Sequence, residues 1–229
     1  EYIRTGCEDS KFGFTMKNDF AFNCVGDVLA AENVRLLGFH CHIGSQIFAL
    51  TSFREAVQVM TEFVLRVKEK YGFVTKELDM GGGLGIAYTA DDRPSSIDEF
   101  AECTVSAVRD FCVHYQLEEP RILVEPGRSL VANAGVTLYT VGILKTLPGI
   151  RKYIAVDGGM SDNIRTALYH AQYEPTIANK AGQMRTEIVT LCGKHCESGD
   201  AVVVDMPLQK AELGDIVCVF ATGAYCYTM

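Results

Sequence analysis

No run of five or more basic residues occurs in this 229-residue sequence, which carries 29 acidic against 21 basic side chains and a formal net charge of -8. Partners such as nucleic acid or an anionic membrane surface require basic patches, so both are disfavoured. No apolar stretch is long enough to span a bilayer, and no signal peptide is expected. The nine cysteines (Cys7, Cys24, Cys41, Cys103, Cys112, Cys192, Cys196, Cys218 and Cys226) are odd in number and irregularly spaced. They form no disulfide framework, and reduced cytosolic thiols are expected. Internal repeats and low-complexity segments are absent as well. So is an initiating methionine: the sequence starts at Glu1, Ile3 to Gly6 reads as the end of a strand already under way, and Met229 closely follows an apolar strand. A chain cut at both ends is the expectation. What is present is a hydrophobic fraction of 48%, ample for the core of one large domain or two small ones.

The first half alternates strand and helix. VRLLGFHCHIG (34 to 44) is a mostly apolar run followed by polar residues, as a buried parallel strand would be. Ser52 and Glu55 form an S-x-x-E capping box before a helix whose apolar residues Phe53, Ala56, Val57, Met60, Phe63, Val64 and Val67 follow helical spacing. A strand at Thr75 to Met80 runs into Gly81-Gly82-Gly83. A second capping box, Ser96 to Glu99, opens a helix with Phe100, Cys103, Ala107, Phe111 and Tyr115 on one face. Ile122 to Val124 is a short strand ending in Glu125-Pro126-Gly127-Arg128. Such units predict α/β architecture, a parallel sheet or β/α barrel, over residues 1–134. From 135 to 229 the pattern changes to short strands at Val136 to Leu144, Tyr153 to Val156, Glu187 to Leu191, Ala201 to Val204 and Asp215 to Phe220, with one helix near Asp162 to His170. This part predicts a mostly β domain.

Three polar signals fall at the C-terminal ends of successive predicted strands: His42 to Gln46, the triple glycine, and Glu125 to Arg128. On a β/α barrel that end is where active sites form. Each signal alone has a plain reading: a core histidine, a tight turn, a surface carboxylate. Their conjunction is the informative feature. A fourth stretch, LCGKHCESGD (191 to 200), is open on its residues alone. Cys192, His195 and Cys196 are candidate metal ligands, yet a fourth ligand and a second cysteine pair are lacking. Cys196 with His195 as nucleophile and base lacks an orienting residue and an oxyanion loop. Cys196 as a proton donor, with Glu197 holding a substrate, is the third reading.

Six motifs in order, HCHIGSQ, LDMGGGLGIAY, VEPGRSLVANAG, DGGMSDNIRTALY, CESGD and GAY, resemble the fold-type III pyridoxal-phosphate decarboxylases over nearly the whole sequence. Among them, the resemblance is strongest to those that convert meso-2,6-diaminopimelate to L-lysine. It implies the C-terminal part of a (β/α)8 TIM-like barrel, with the earlier strands missing, followed by a mostly β domain, the whole incomplete at both ends, with pyridoxal 5'-phosphate as cofactor. By motif, His42 would stack on the cofactor ring and Ser45 would touch its phosphate. Gly82 and Gly83 would offer backbone donors to that phosphate, helped by the loop containing Glu125, Gly127 and Arg128. Glu125 would pair with the pyridine nitrogen. Arg128, Arg165 and Tyr169 would hold the substrate, and Tyr225 would contact cofactor and substrate. Cys196 would return a proton to the carbon that loses carbon dioxide, and Glu197 would bind the distal amino group. The resemblance also implies a cytoplasmic homodimer with the active site shared between subunits; a plastid location would need an upstream transit peptide.

The sequence departs from the family in places. The lysine that bonds covalently to the cofactor, in a Y-x-x-K-A-N-like context, is absent, and Lys11 in SKFGF matches a different family position. Lys194 and His195 stand where proline and an apolar residue are usual, and Cys226-Tyr227 differ from the usual pair after GAY. The expectation is an amino-acid carboxy-lyase whose isolated 229-residue chain is inactive. The alternatives are an ornithine- or arginine-type decarboxylase and an inactive regulatory homologue.

Overall fold

The computed structural model describes residues 10–229, so the expected strand end at Ile3 to Gly6, and Cys7, lie outside the described residues. Two compact units form: residues up to Gly85 with Pro94–Gly127, and Ile86–Arg93 with Arg128–Met229. The second thus takes in Arg128 to Ala134, which the sequence assigns to the barrel part, and the excursion at Ile86–Arg93.

In the first unit the order is α1 (Phe20–Ala30), β1 (Gly38–His40), α2 (Leu50–Tyr71), β2 (Glu77–Asp79), α3 (Ile97–His114) and β3 (Arg121–Leu123). The strands form a parallel sheet in the order β1-β2-β3, with His40 level with Asp79 and Asp79 level with Leu123. Parallel neighbours need crossovers, and α2 and α3 supply them. Alternation sorts the strand side chains. Phe39, Cys41, Leu78, Met80 and Ile122 pack with residues of α2 and α3. His40, His42, Asp79, Gly81 and Glu125 occupy the alternate positions.

All seven apolar residues expected on the α2 face are buried. Its capping box is not formed, however. The helix starts at Leu50 behind Ala49, and Ser52 already lies in its first turn, its N–H on the Ala49 carbonyl. The second box is formed: Ser96 Oγ accepts from Glu99 N–H at 3.1 Å and Glu99 Oε2 from Ser96 N–H at 2.8 Å. The buried stripe of α3 is Phe100, Thr104, Val108 and Cys112. That is rotated from the expected stripe, with Cys103, Ala107 and Phe111 half-buried beside it and Tyr115 exposed.

The second unit contains α4 (Arg128–Val131), β4 (Thr137–Leu147), β5 (Arg151–Val156), α5 (Arg165–Tyr169), β6 (Pro175–Ile177), β7 (Glu187–Cys192), β8 (Ala201–Leu208) and β9 (Ile216–Val219). Six strands make one sheet in the order β6-β9-β4-β5-β7-β8, antiparallel except for β5 beside β7. Its core includes Val141, Ile154, Val189, Leu191, Val217 and Tyr173. The strands at the two ends of the order are tied through Gln209, just past β8 and 1% exposed. Its Oε1 accepts from Ile177 N–H and its Nε2 donates to Thr176 Oγ1, each at 3.0 Å. Strand edges left bare invite pairing with other chains, and this link covers part of both. The fold is α/β followed by β, as the sequence predicts; β6 and α1 are additions to that reading. Among the described residues no helix is long and apolar enough to cross a membrane.

Candidate functional site

In the first unit the polar groups collect where the three strands end. The backbone passes so closely here that side chains are excluded. A Cβ on Gly81 would lie 2.4 Å from the Cys41 carbonyl oxygen, one on Gly82 2.4 Å from that of Glu125, and one on Gly83 2.5 Å from that of Gly44. Gly81 and Gly83 also hold φ of +67° and +108°, which glycine adopts without strain. Asp79 Oδ1 accepts from Gly81 N–H at 2.8 Å, stiffening this turn, and Gly82 N–H faces His42 Nδ1 at 3.4 Å. His40 Nε2 lies 3.1 Å from Glu125 Oε2. His42, Gly82, Gly83 and Glu125, all singled out from sequence, are therefore together at the strand ends, with Ser45 half-buried and Gly127 exposed on the adjoining loops. His40 and Asp79 were not singled out. The alternation of GFHCHIG, with apolar residues at 39, 41 and 43 and histidines at 40 and 42, is the signal that points to His40. The ligating atoms of His40, Asp79 and Glu125 lie within 4.8 Å of one another, the spacing of a candidate cation site that is empty here.

In the second unit two buried guanidinium groups share one aromatic neighbour, Tyr88. Arg128 and Arg165 are each 5% exposed. The Arg128 group lies 5.7 Å from the Tyr88 ring centre and 4.7 Å from that of Tyr225. The Arg165 group lies 5.9 Å from Tyr88 and 5.4 Å from Tyr169. Stacking on ring faces is a favourable way to bury a guanidinium. Arg128 also donates to the Tyr88 hydroxyl, and Arg165 Nε to that of Tyr173 at 3.0 Å. Burial holds the Tyr173 phenol well above its ordinary value, as does its hydrogen bond with Cys226, 3.5 Å away. The hydroxyl therefore stays protonated beside the guanidinium. Among the described residues no carboxylate forms an ion pair with Arg165.

Tyr225 reaches Arg128 because the GAY turn is held against the end of α4. Thr222 N–H donates to the Gly135 carbonyl and Gly223 N–H to that of Ala132, both at 3.0 Å. Tyr225 itself sits at φ +58°, a left-handed conformation that is unusual outside glycine. Tyr88 and Tyr173 were missed from sequence, since nothing in their local context marks them as partners of the arginines.

The CESGD loop lies between β7 and β8. Cys196 and Glu197 are exposed. Asp200 holds the loop from below: its Oδ2 accepts from His195 N–H at 2.8 Å and its Oδ1 from Met160 N–H at 2.6 Å. Gly193 and Gly159 leave it room, since a Cβ on either would fall within 2.6 Å of an Asp200 carboxylate oxygen. His195 Nε2 faces Ser161 Oγ at 2.9 Å. The Glu197 carboxylate turns back on its own loop, where Oε1 accepts from Gly199 N–H at 3.1 Å. Among the described residues no hydrogen bond or ion pair joins Cys196 or Glu197 to Arg165.

Residues 1–132 match the family model described as pyridoxal-dependent decarboxylase, pyridoxal binding domain. The chain belongs to that family. Relatives of this chain include the diaminopimelate decarboxylases of Bacillus subtilis, 48% identical, and of Halalkalibacterium halodurans, 45% identical. Each match takes in 100% of this chain and 52% of the relative. The solved diaminopimelate decarboxylase of M. jannaschii, in co-complex with L-lysine, superposes with a TM-score of 0.90 at 33% identity, covering 100% of this chain and 51% of that one. The chain therefore shares the fold of the matching part of that structure and spans about half the length of the relatives it matches.

Proposed function

We propose that this protein decarboxylates meso-2,6-diaminopimelate to L-lysine using pyridoxal 5'-phosphate, as a cytoplasmic homodimer with the active site shared between subunits. The donor set suits that cofactor: a glycine turn too tight for any Cβ, an imidazole at His42 and a carboxylate at Glu125 converge on one set of strand ends. When bound, the pyridoxal ring supplies an electron sink for the bond to the departing carboxyl group. His42 would lie against the ring face, and Glu125 would hold the pyridine nitrogen. Ser45, Gly82, Gly83, Gly127 and Arg128 serve the phosphate. Tyr225 meets both cofactor and substrate. Arg128, Arg165 and Tyr169 bind substrate, Glu197 takes the distal amine, and Cys196 returns the proton. The barrel part at 1–134 carries the cofactor groups and the β domain at 135–229 carries the CESGD loop.

The observation that carries the substrate assignment is Arg165. A buried guanidinium is stable only with compensating charge or donors matched to acceptors. Here it rests on phenol and aromatic faces with no carboxylate ion pair among the described residues, which leaves its charge for an acidic ligand. Meso-diaminopimelate has two carboxylates where ornithine has one. The L-lysine bound to the M. jannaschii structure supports the same class of ligand.

The test compares substrates in the complete gene product loaded with cofactor. Arg165→Lys keeps the charge but loses the planar fork, and KM for meso-diaminopimelate rises roughly 10- to 100-fold, in line with a lost charge-assisted hydrogen bond. Unchanged KM, or faster turnover of ornithine or arginine by the unaltered protein, contradicts the proposal.

A further inference from the structure

We infer that His40 is a positioning residue for the reaction: it anchors Glu125, the proposed partner of the pyridine nitrogen, from the end of β1 across the intervening β2. This rests on the cofactor assignment above. His40 closes β1 and Glu125 follows β3, so the strands that carry them are separated by β2. Strand alternation puts both at positions opposite to the residues that pack against α2 and α3. Their atoms meet at 3.1 Å, His40 Nε2 to Glu125 Oε2.

A glutamate at the end of a strand has three side-chain torsions to fix before it can meet a ring nitrogen in one geometry. The backbone there is set by Glu125 N–H on the Gly81 carbonyl at 2.8 Å. The carboxylate is held by His40. With Nε2 as donor, the imidazole takes one carboxylate oxygen and leaves the other for the ring. Asp79, level with His40 in the sheet register, spends its Oδ1 on Gly81 N–H and so serves the glycine turn. The two carboxylates near His40 thus have separate tasks, and only that of Glu125 passes through the imidazole. The same principle governs groups that orient a metal ligand, whose loss weakens binding by about 10- to 100-fold.

The experiment uses the complete gene product and pyridoxal 5'-phosphate. It reads the cofactor dissociation constant and the absorption spectrum of the bound cofactor for His40→Leu, His40→Gln, Glu125→Gln and the double variant His40→Leu with Glu125→Gln. A thermal melt of each confirms folding. His40→Leu is expected to weaken cofactor binding about tenfold and to move the absorption in the same sense as Glu125→Gln. His40→Gln keeps an N–H at the reach of Nε2 and recovers most of the binding, and His40→Leu adds no further loss to Glu125→Gln. A folded His40→Leu with the parent's dissociation constant and spectrum overturns the inference, as does a His40→Gln no better than His40→Leu. If Glu125→Gln also leaves both readouts unchanged, the cofactor role of Glu125 fails and this inference with it.

Discussion

Each carboxylate oxygen of Asp200 accepts a backbone N–H, one from Met160 and one from His195. The CESGD loop is thereby fixed while Cys196 stays in solvent. Most other described cysteines are in the opposite situation. Burial and the neighbouring Asp79 charge push the Cys41 thiol up to about 11, and burial raises Cys112, Cys192, Cys218 and Cys226. The thiolate is the reactive species, so exposure and acidity decide the order of alkylation. At mildly alkaline pH, iodoacetamide should modify Cys196 first among the described cysteines, by peptide mapping against time. Earlier modification of Cys41 or Cys226 would contradict the structure. At this scale the sequence was readable where a proposed site residue sits in a motif: Cys196, Glu125 and Arg128 stand out in CESGD and VEPGR. Asp200, His40, Tyr88 and Tyr173 act through partners far away in sequence, such as Arg165 Nε on Tyr173 and His40 on Glu125. No local pattern encodes those pairings, apart from the alternation around His40.

The two S-x-x-E patterns have opposite outcomes. Ser96 precedes α3 in an extended conformation, with φ of -72° and ψ of 164°, and its hydroxyl accepts from Glu99 N–H. Ser52 lies inside α2, whose first residue is Leu50. Ser96→Ala should therefore destabilise by about 1 kcal/mol in denaturant unfolding, and Ser52→Ala by only a few tenths. Equal effects would mean that the helix start at Leu50 is misplaced. The apolar spacing of α2 was legible because its stripe is long and continuous. The stripe of α3 was read off-centre, since Thr104 and Cys112 share the buried face with Phe100 and Val108. Strand limits were harder. The parallel strands are hydrogen-bonded over only three residues each, while the apolar runs that announce them are longer. The short β6 depends on Gln209 and β9, both distant in sequence, and left no signal of its own.

At the scale of the molecule, strand and helix alternation followed by short strands was enough to predict an α/β part and a β part, and family resemblance supplied the rest. The membership of Ile86–Arg93 in the second unit was not legible. Ile86 and Tyr88 belong to a core made chiefly of residues beyond 130, and a sequence window does not reach that far. In the proposed function, the cofactor groups of the barrel part and the substrate groups of the β domain serve one reaction. The measurement that tests it most directly is a product balance on the complete gene product supplied with pyridoxal 5'-phosphate and meso-2,6-diaminopimelate. The proposed reaction yields carbon dioxide and L-lysine in equal amounts, lost when the cofactor is removed and greatly slowed by Cys196→Ala. Cofactor binding without lysine formation, or turnover that Cys196→Ala leaves at the parent's rate, would contradict it.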